Sequence, residues 1–193
     1  MKGVVISGTG SGVGKTAIAT GLMSRLSRRY KVQGYKVGPD HIDPMYHTAA
    51  TGRPSRNLDS FMMSADIIKR LYSHSSKGSD ICIVEGVRGL FEGASGTSDA
   101  GSTAEIAKML DLPVILVVNA RSLTRSAAAI VNGFRTFDPN IKIAGVIMNN
   151  ISGKQHEQKI RDAMSRYSDV EILGMIRRDP SRTVGETKKG LVG

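Results

Sequence analysis

Apolar residues are grouped into short, β-branched runs that alternate with stretches of helical spacing. In the first helical stretch Ile18, Leu22 and Leu26 fall on one face, and Ser102 followed by Glu105 predicts a capping box at the start of another helix. Alternating strands and helices predict a parallel sheet with helices on both faces. We therefore expect one three-layer α/β domain over residues 1–193. The predicted strands are Val4–Ile6, a weaker Lys31–Val37, Ile81–Val84, Val114–Val118, Ile143–Met148 and Ile172–Ile176.

Two stretches, 38–63 and 86–101, follow neither period, and the second contains five glycines. Connections longer than about 12–15 residues are uncommon in compact domains and are often functional. Each stretch follows a predicted strand. Both are therefore expected at the carboxyl ends of the sheet, where open α/β folds bind ligands.

The sequence between the first strand and the first helix is typical of a phosphate loop. Its glycines let main-chain N–H groups face phosphate oxygens, and the helix amino terminus adds positive potential. Lys15 is expected to reach the β and γ phosphates, and the Thr16 hydroxyl to hold Mg²⁺. Gly14 follows Gly8 by six positions where the common pattern has five, and Thr9 stands in place of a glycine. The predicted nucleotide-binding residues are Gly10, Ser11, Gly12, Val13, Gly14, Lys15, Thr16 and Ala17.

Carboxylates at strand ends are the second candidate feature. Glu85 ends the apolar run 81–84 and is expected to face the phosphates, where Mg²⁺ needs oxygen ligands. Asp40 and Asp43 follow the second strand on a proline-bracketed segment, and serve either as metal or substrate ligands or as turn residues. Asn149 ends a later strand, and its amide is a candidate for reading a purine edge.

Composition narrows the function classes. The net charge of +10 and the pI near 9.9 suit a polyanionic ligand, nucleic acid, an acidic membrane or an acidic partner. The absence of Trp and an aromatic content of 5% argue against stacking on single-stranded nucleic acid. One cysteine, Cys82, excludes an internal disulfide framework, and no apolar run approaches the ~20 residues of a membrane span. A cytoplasmic protein that binds neither nucleic acid nor membrane is expected.

Several motifs together resemble a known family. They are the phosphate loop, Gly-Pro-Asp-His-Ile-Asp-Pro at 38–44, Gly-Arg-Pro-Ser-Arg-Asn-Leu-Asp at 52–59, and Val-Glu-Gly-Val-Arg-Gly-Leu-Phe-Glu-Gly at 84–93. With Gly-Ser-Thr-Ala-Glu at 101–105 and Gly-Val-Ile-Met-Asn at 145–149, they look like the synthetase domain of cobyrinic acid a,c-diamide synthase. The phosphate loop is also similar to that of dethiobiotin synthetase, which implies the same phosphate-loop fold.

The resemblance implies an ATP- and Mg²⁺-dependent ligase of cobalamin biosynthesis. Such enzymes phosphorylate the c and then the a acetate carboxylate of the corrinoid cobyrinic acid, and ammonia displaces the phosphate. Family members obtain ammonia from glutamine in a carboxy-terminal glutaminase domain. That domain is not found in this sequence, so residues 1–193 are expected to form the amide synthetase domain alone, to use free ammonia and to rely on a separate glutaminase domain or subunit. A homodimer is left open.

The resemblance also assigns roles to individual residues. The acidic cluster around metal and intermediate is Asp40, Asp43, Glu85 and Glu92, with Lys15 and Lys36 as the neutralising cations. Thr16, Asp43 and Glu85 are the expected metal ligands. The expected substrate-binding residues are His47, Arg53, Arg56, Ser102 and Thr103.

Two departures from the family pattern bear on the substrate. Glu92 stands where aspartate is usual, and Arg88 where an apolar residue, often Met, is common. The substrate is therefore expected to be cobyrinic acid or a related tetrapyrrole such as nickel sirohydrochlorin. An alternative is a partitioning ATPase resembling ParA or MinD, whose phosphate loop carries an extra lysine where this chain has Gly10. A dethiobiotin-type ligase is a further alternative, but it leaves the motif at 52–59 unexplained.

Overall fold

The computed structural model describes residues 3–179, 185–187 and 190–192. Its main sheet has seven strands, all parallel, in the order β3-β2-β4-β1-β5-β6-β7. All six predicted strands are present, and the short edge strand β3 was not predicted. The strands are β1 Gly3–Gly8, β2 Val32–Val37, β3 Arg56–Leu58, β4 Ile81–Glu85, β5 Val114–Asn119, β6 Ile143–Ile151 and β7 Ile172–Arg177.

Helices cover both faces of this sheet and confirm the predicted α/β class. The buried residues of α1 pack in one apolar cluster, whereas those of α3 to α6 pack in a larger cluster on the other face. The β5 strand is apolar from Val114 to Val118 because its two faces pack in different clusters. Leu116 belongs to one cluster and Val117 to the other. The helices are α1 Lys15–Ser27, α2 Asp43–Thr51, α3 Ala65–Ser75, α4 Thr103–Met109, α5 Arg125–Phe137 and α6 Lys154–Tyr167.

The strand order brings the candidate residues together. The chain leaves β1, forms α1, and returns in β2, so that β4 lies between these two strands. Register then pairs Glu85 of β4 with Ile6 on one side and with Lys36 on the other. Because parallel strands end at the same edge, the phosphate loop, Lys36 and Glu85 meet there.

The segment 38–63 is more ordered than a loop, which corrects the sequence-based expectation. It contains α2, which begins at Asp43 with a proline in its first turn, and the edge strand β3. Helical spacing was hidden here because α2 buries only Asp43 and His47, both polar. The segment 86–101 contains neither helix nor strand, as expected.

The predicted capping box at α4 is half formed. Ser102 Oγ accepts the Glu105 N–H at 3.1 Å, as a helix cap should. The Glu105 carboxylate does not return to Ser102, because it accepts the Gly101 N–H at 2.8 Å and the Ser60 hydroxyl at 2.5 Å. Glu105 therefore joins two connections instead of closing the box.

The end of the chain adds an antiparallel pair that was not predicted, β8 Gly185–Thr187 and β9 Gly190–Val192. In the described part of the chain, no helix combines the length and the apolar character needed to cross a membrane.

Candidate active site at the carboxyl ends of the central strands

The phosphate loop turns through two glycines in the left-handed region, Gly12 with φ 70° and Gly14 with φ 98°. Gly14 precedes α1, and no side chain caps the first N–H groups of the helix. Lys15 is buried, and its Nζ donates to the Gly10 carbonyl at 2.8 Å. The loop thus holds its own lysine in place at the amino terminus of α1, whose positive potential suits an anion.

Asn149 braces this loop. Its Nδ2 donates to the Val13 carbonyl at 2.9 Å, and its Oδ1 accepts the Asn150 N–H at 2.9 Å. A Cβ at Gly14 would lie 2.4 Å from Nδ2, so only glycine fits there. Both ends of the amide therefore have partners within the protein, and purine recognition by Asn149 stays a prediction.

Lys36, Asp43, Glu85 and Thr16 form a buried polar cluster next to the loop, hereafter the Lys36 cluster. Lys36 Nζ lies 2.8 Å from Glu85 Oε1 and 2.5 Å from Asp43 Oδ2, and it also donates to the Gly86 carbonyl at 3.2 Å. Thr16 Oγ1 donates to Glu85 Oε1 at 2.5 Å and lies 3.3 Å from Asp43 Oδ2. The three N–H groups of Lys36 are all engaged.

His47 supports this cluster from below. Neither His47 nor Glu85 has exposed surface, and His47 Nε2 lies 2.6 Å from Glu85 Oε2. On the other side of the ring, Nδ1 lies 3.4 Å from Ser55 Oγ, which donates to the Gly34 carbonyl at 3.1 Å. The sequence suggested His47 as a substrate ligand, but the structure places it beneath Glu85, without surface for a substrate to touch.

The two carboxylates of the cluster differ in electrostatics. Burial would raise the pKa of Glu85, but the His47 hydrogen bond and the Lys36 charge outweigh it and lower that pKa to about 2. Burial, helped by the Glu85 charge, raises the pKa of Asp43 despite Lys36. Burial lowers the pKa of Lys36, but Glu85 and Asp43 more than offset this, so it lies above its ordinary value. One lysine thus contacts two carboxylates, and only Glu85 has a further hydrogen bond from His47.

The chemistry of the Lys36 cluster suits Mg²⁺. Thr16, Asp43 and Glu85 offer hard oxygen donors, and two carboxylates with one lysine leave a net negative charge. Among the described residues, no group of three or more His, Cys, Asp or Glu side chains is arranged to enclose a metal. Mg²⁺ uses one or two protein carboxylates and completes its shell with phosphate oxygens and water.

A cavity of about 220 Å³ lies between the connections that follow β2, β3 and β4, and its lining includes Val37, the residue after Lys36. Its walls include Gly38, Phe61, Val87, Arg88 and Glu92. Two predicted residues, Asp40 and Glu92, lie on these connections. Glu92 accepts the Gly89 N–H at 2.9 Å, and Asp40 accepts the N–H groups of Ile42 and Asp43 at 2.8 and 3.2 Å. Asp40 thus also fills the turn role that the sequence left open.

The other predicted substrate ligands do not line this cavity. Ser102 and Thr103 are fully buried, and Thr103 Oγ1 accepts the Val87 N–H at 3.0 Å. Arg53 lies at the amino ends of the strands, where it donates to Gln33 at 3.1 Å and to the Ser75 and Lys77 carbonyls. Arg56 is exposed and donates to the Ser55 carbonyl at 3.4 Å. Ser102 and Thr103 support the cavity wall, and Arg53 is separated from the site.

Sequence reasoning missed two residues that shape the site. Asn57 Nδ2 donates to the carbonyls of Gly38 and Asp40 at 2.7 and 2.6 Å, fixing the connection after β2. Glu105 ties Ser60 to Gly101 across the cavity floor. Asn57 lies within a motif that the sequence singled out, but an amide that holds backbone carbonyls leaves no periodic signal.

Solved structures with the same fold include the hydrogenase maturation factor HypB from Archaeoglobus fulgidus (TM-score 0.57, 16% identity, 91% of this chain and 81% of that one). The signal recognition particle 54 kDa protein from Aeropyrum pernix, solved with GDP, matches with a TM-score of 0.59 and 21% identity over 99% of this chain and 43% of that one. These likenesses confirm the predicted phosphate-loop fold.

Curated relatives named cobyrinate a,c-diamide synthase confirm the resemblance inferred from the sequence. The protein from Methanocaldococcus jannaschii is 58% identical over 100% of this chain and 43% of its own length. The one from Methanosarcina acetivorans is 53% identical over 98% and 39%, respectively. The chain thus spans about two fifths of the length of these relatives. Residues 4–189 match the family described as CobQ/CobB/MinD/ParA nucleotide binding domain, and the chain therefore belongs to that family.

Proposed function

We propose that this chain catalyses the ATP- and Mg²⁺-dependent amidation of the a and c acetate carboxylates of cobyrinic acid. The observation that carries the proposal is the position of the Lys36 cluster. Its Thr16 lies in the first turn of the helix that follows the phosphate loop, and Lys36 contacts the carbonyl of Gly86, which directly precedes the cavity-lining Val87. The name of the relatives, cobyrinate a,c-diamide synthase, supports this choice of reaction.

In the first step, a carboxylate oxygen of the substrate attacks the γ phosphorus of ATP, and the bond to the ADP oxygen breaks. The product is an acyl phosphate, a better electrophile than a carboxylate. Two negatively charged groups must approach, so positioning and charge neutralisation carry most of the catalysis. Lys15 and the uncapped N–H groups of α1 bind the phosphates, and Lys36 stands on the substrate side.

Thr16 with Asp43 or Glu85 would hold Mg²⁺, which neutralises phosphate charge when bound. Asp43 Oδ2 and Glu85 Oε1 both contact Lys36 Nζ, at 2.5 and 2.8 Å. If Asp43 were to hold Mg²⁺, one N–H of Lys36 would become free. That N–H can then donate to the transferring phosphoryl group.

In the second step, ammonia attacks the acyl carbon, phosphate leaves with the bonding electrons, and the new nitrogen loses a proton. Asp40 and Glu92 are the carboxylates available to accept it, and Asp43 joins them where Glu85 is the carboxylate that holds Mg²⁺. Glu85, with a pKa of about 2, is the least suited and acts as a fixed negative charge. The ammonia is expected to come from a glutaminase domain or subunit.

The reaction is tested by mass spectrometry of cobyrinic acid incubated with the chain, ATP, Mg²⁺ and either ammonium or glutamine. We expect two successive losses of one mass unit, as –OH becomes –NH₂, with ammonium and none with glutamine alone. ATP hydrolysis without amidation would contradict this substrate. The buried position of Cys82 and the use of ATP suit a cytoplasmic enzyme.

Two alternatives are separated by related assays. Nickel sirohydrochlorin carries similar acetate arms, and its amidation in place of cobyrinic acid would move the proposal to that tetrapyrrole.

A partitioning switch related to MinD and ParA is included in the family description. The partitioning function does not explain the cavity between the strand connections. ATP-dependent, salt-sensitive DNA binding without amidation would favour it.

A further inference from the structure

The cavity beside the Lys36 cluster has one cationic side chain in its wall among the described residues, Arg88. Its two acidic residues are already engaged, because Asp59 accepts the Phe61 N–H at 2.9 Å and Glu92 accepts the Gly89 N–H at 2.9 Å. The Arg88 guanidinium is exposed and makes neither a hydrogen bond nor an ion pair with the described residues. It is therefore available to an anionic ligand.

The backbone holds Arg88 in an unusual conformation. Its φ of 49° lies in the left-handed region, which residues other than glycine seldom adopt. Such conformations persist where the surroundings enforce them, and they cluster at ligand sites. Here Thr103 fixes the neighbouring Val87 N–H at 3.0 Å, and Gly86 presents its carbonyl to Lys36. Arg88 thus lies two residues along the chain from Gly86, whose carbonyl accepts a hydrogen bond from Lys36.

The size of the cavity limits what can enter it. Pockets that enclose a drug-sized ligand occupy roughly 300–1,000 Å³. A volume of about 220 Å³ is too small for a tetrapyrrole ring, but it suits one carboxylate arm at the edge of the ring. The ring would then lie outside, against exposed apolar side chains such as Phe61 and Met62, which are 65% and 77% exposed.

We propose that Arg88 is a specificity-determining residue that binds a carboxylate arm of the macrocyclic substrate other than the arm being amidated. The reacting arm must reach the buried Lys36, whereas Arg88 lies at the exposed wall, so the two cations address different arms. A guanidinium binds a carboxylate through two parallel hydrogen bonds, which fixes the orientation of the ring as well as its affinity. This inference rests on the proposed function.

The test compares four variants with the wild type. Arg88→Met removes the charge and keeps much of the length, Arg88→Lys keeps the charge without the fork, and Arg88→Gly removes the side chain and suits the left-handed backbone. Arg166→Met is the matched control, since Arg166 is an exposed arginine in the last turn of α6, away from the cavity. Cobyrinic acid binding is measured by titration calorimetry, and amidation with ammonium by steady-state kinetics.

We expect Arg88→Met and Arg88→Gly to weaken cobyrinic acid binding by roughly 10- to 100-fold, the effect of losing a charged hydrogen-bonded pair. Arg88→Lys should fall between them and the wild type, while the KM for ATP stays within about twofold. Unchanged corrinoid binding in Arg88→Met would overturn the inference, as would a change confined to kcat or to ATP.

The calorimetric readout separates this inference from the proposed function. Wild-type chain that binds cobyrinic acid without amidating it would contradict the proposed reaction, and the role of Arg88 would still be decided by the binding constants. Wild-type chain that does not bind cobyrinic acid would overturn both.

Discussion

The Nε2 atom of His47 lies 2.6 Å from Oε2 of Glu85, and neither side chain has exposed surface. Because the pKa of Glu85 is lowered to about 2, its carboxylate is ionised at neutral pH and Nε2 donates the hydrogen bond. This contact orients Glu85 so that its other oxygen, Oε1, faces Lys36 and Thr16. A buried histidine therefore sets the geometry of the carboxylate that faces Lys36 and Thr16.

Replacement of His47 tests this positioning role. We expect His47→Ala to lower the free energy of unfolding by about 2–4 kcal/mol, because it leaves a cavity and removes a hydrogen bond to a buried charge. His47→Gln, which keeps a donor, should lose about half as much and retain more ATP hydrolysis. Denaturant unfolding and the Mg²⁺ dependence of hydrolysis check both. Equal Mg²⁺ dependence in His47→Ala and the wild type would show that the contact is structural only.

The position of each site residue in the fold explains which of them could be predicted from the sequence. The phosphate loop and Glu85 were predicted because each stands at the end of a β-branched run, and parallel strands end at one edge. Lys36 lies within β2 and was suggested instead by the family resemblance. The placement of His47 and Arg53 differs from the prediction because both lie in the segment 38–63, whose polar helix α2 has no apolar stripe. Strand register and the direction of a side chain from a short polar helix depend on tertiary packing, which leaves no period in the sequence.

The Lys36 cluster makes a second prediction. Among the described residues, Lys36 is the cation that compensates Asp43 and Glu85, and all three side chains are at most 7% exposed. We expect Lys36→Met to abolish amidation and to cost about 3–5 kcal/mol at neutral pH, since two buried carboxylates lose their partner. The double variant Lys36→Met/Glu85→Gln should recover part of that stability in denaturant unfolding. A double variant as unstable as the single one would show that lost packing, not charge, is responsible.

Acid should destabilise the protein through Glu85. Its pKa is about 2 in the folded state and 4.5 ordinarily, so between these values the unfolded chain binds the extra proton and stability falls as the pH is lowered. This difference corresponds to stability on the order of 3 kcal/mol. The raised pKa of Asp43 has the opposite effect on stability, at pH values above its ordinary pKa of 3.8. The effect of Glu85 is therefore clearest below pH 3.8. Unfolding free energies at pH 2–7 should fall less steeply in Glu85→Gln; equal slopes would contradict the assignment.

Glu105 is expected to preserve the cavity. It accepts the Ser60 hydroxyl at 2.5 Å and the Gly101 N–H at 2.8 Å, so it holds two walls together. In Glu105→Gln the weaker, partly mismatched contacts should raise the KM for cobyrinic acid several-fold and leave the KM for ATP unchanged. Amide exchange at Gly101 should quicken in the same variant. Unaltered exchange together with an unaltered KM would show that Glu105 does not hold the cavity walls.

Gly14 is expected to tolerate no side chain. Its φ of 98° strains any other residue, and a Cβ would lie 2.4 Å from Asn149 Nδ2, the group that braces Val13. We expect Gly14→Ala to abolish nucleotide binding in titrations with ATP and to lower the unfolding free energy by about 1–3 kcal/mol. Gly14→Ala/Asn149→Ala removes the clash but keeps the strained backbone. Its ATP affinity should therefore return only in part, because the loop also loses the amide that holds it. Full recovery would mean that the clash alone matters, whereas none would assign the defect to the backbone or to the lost brace.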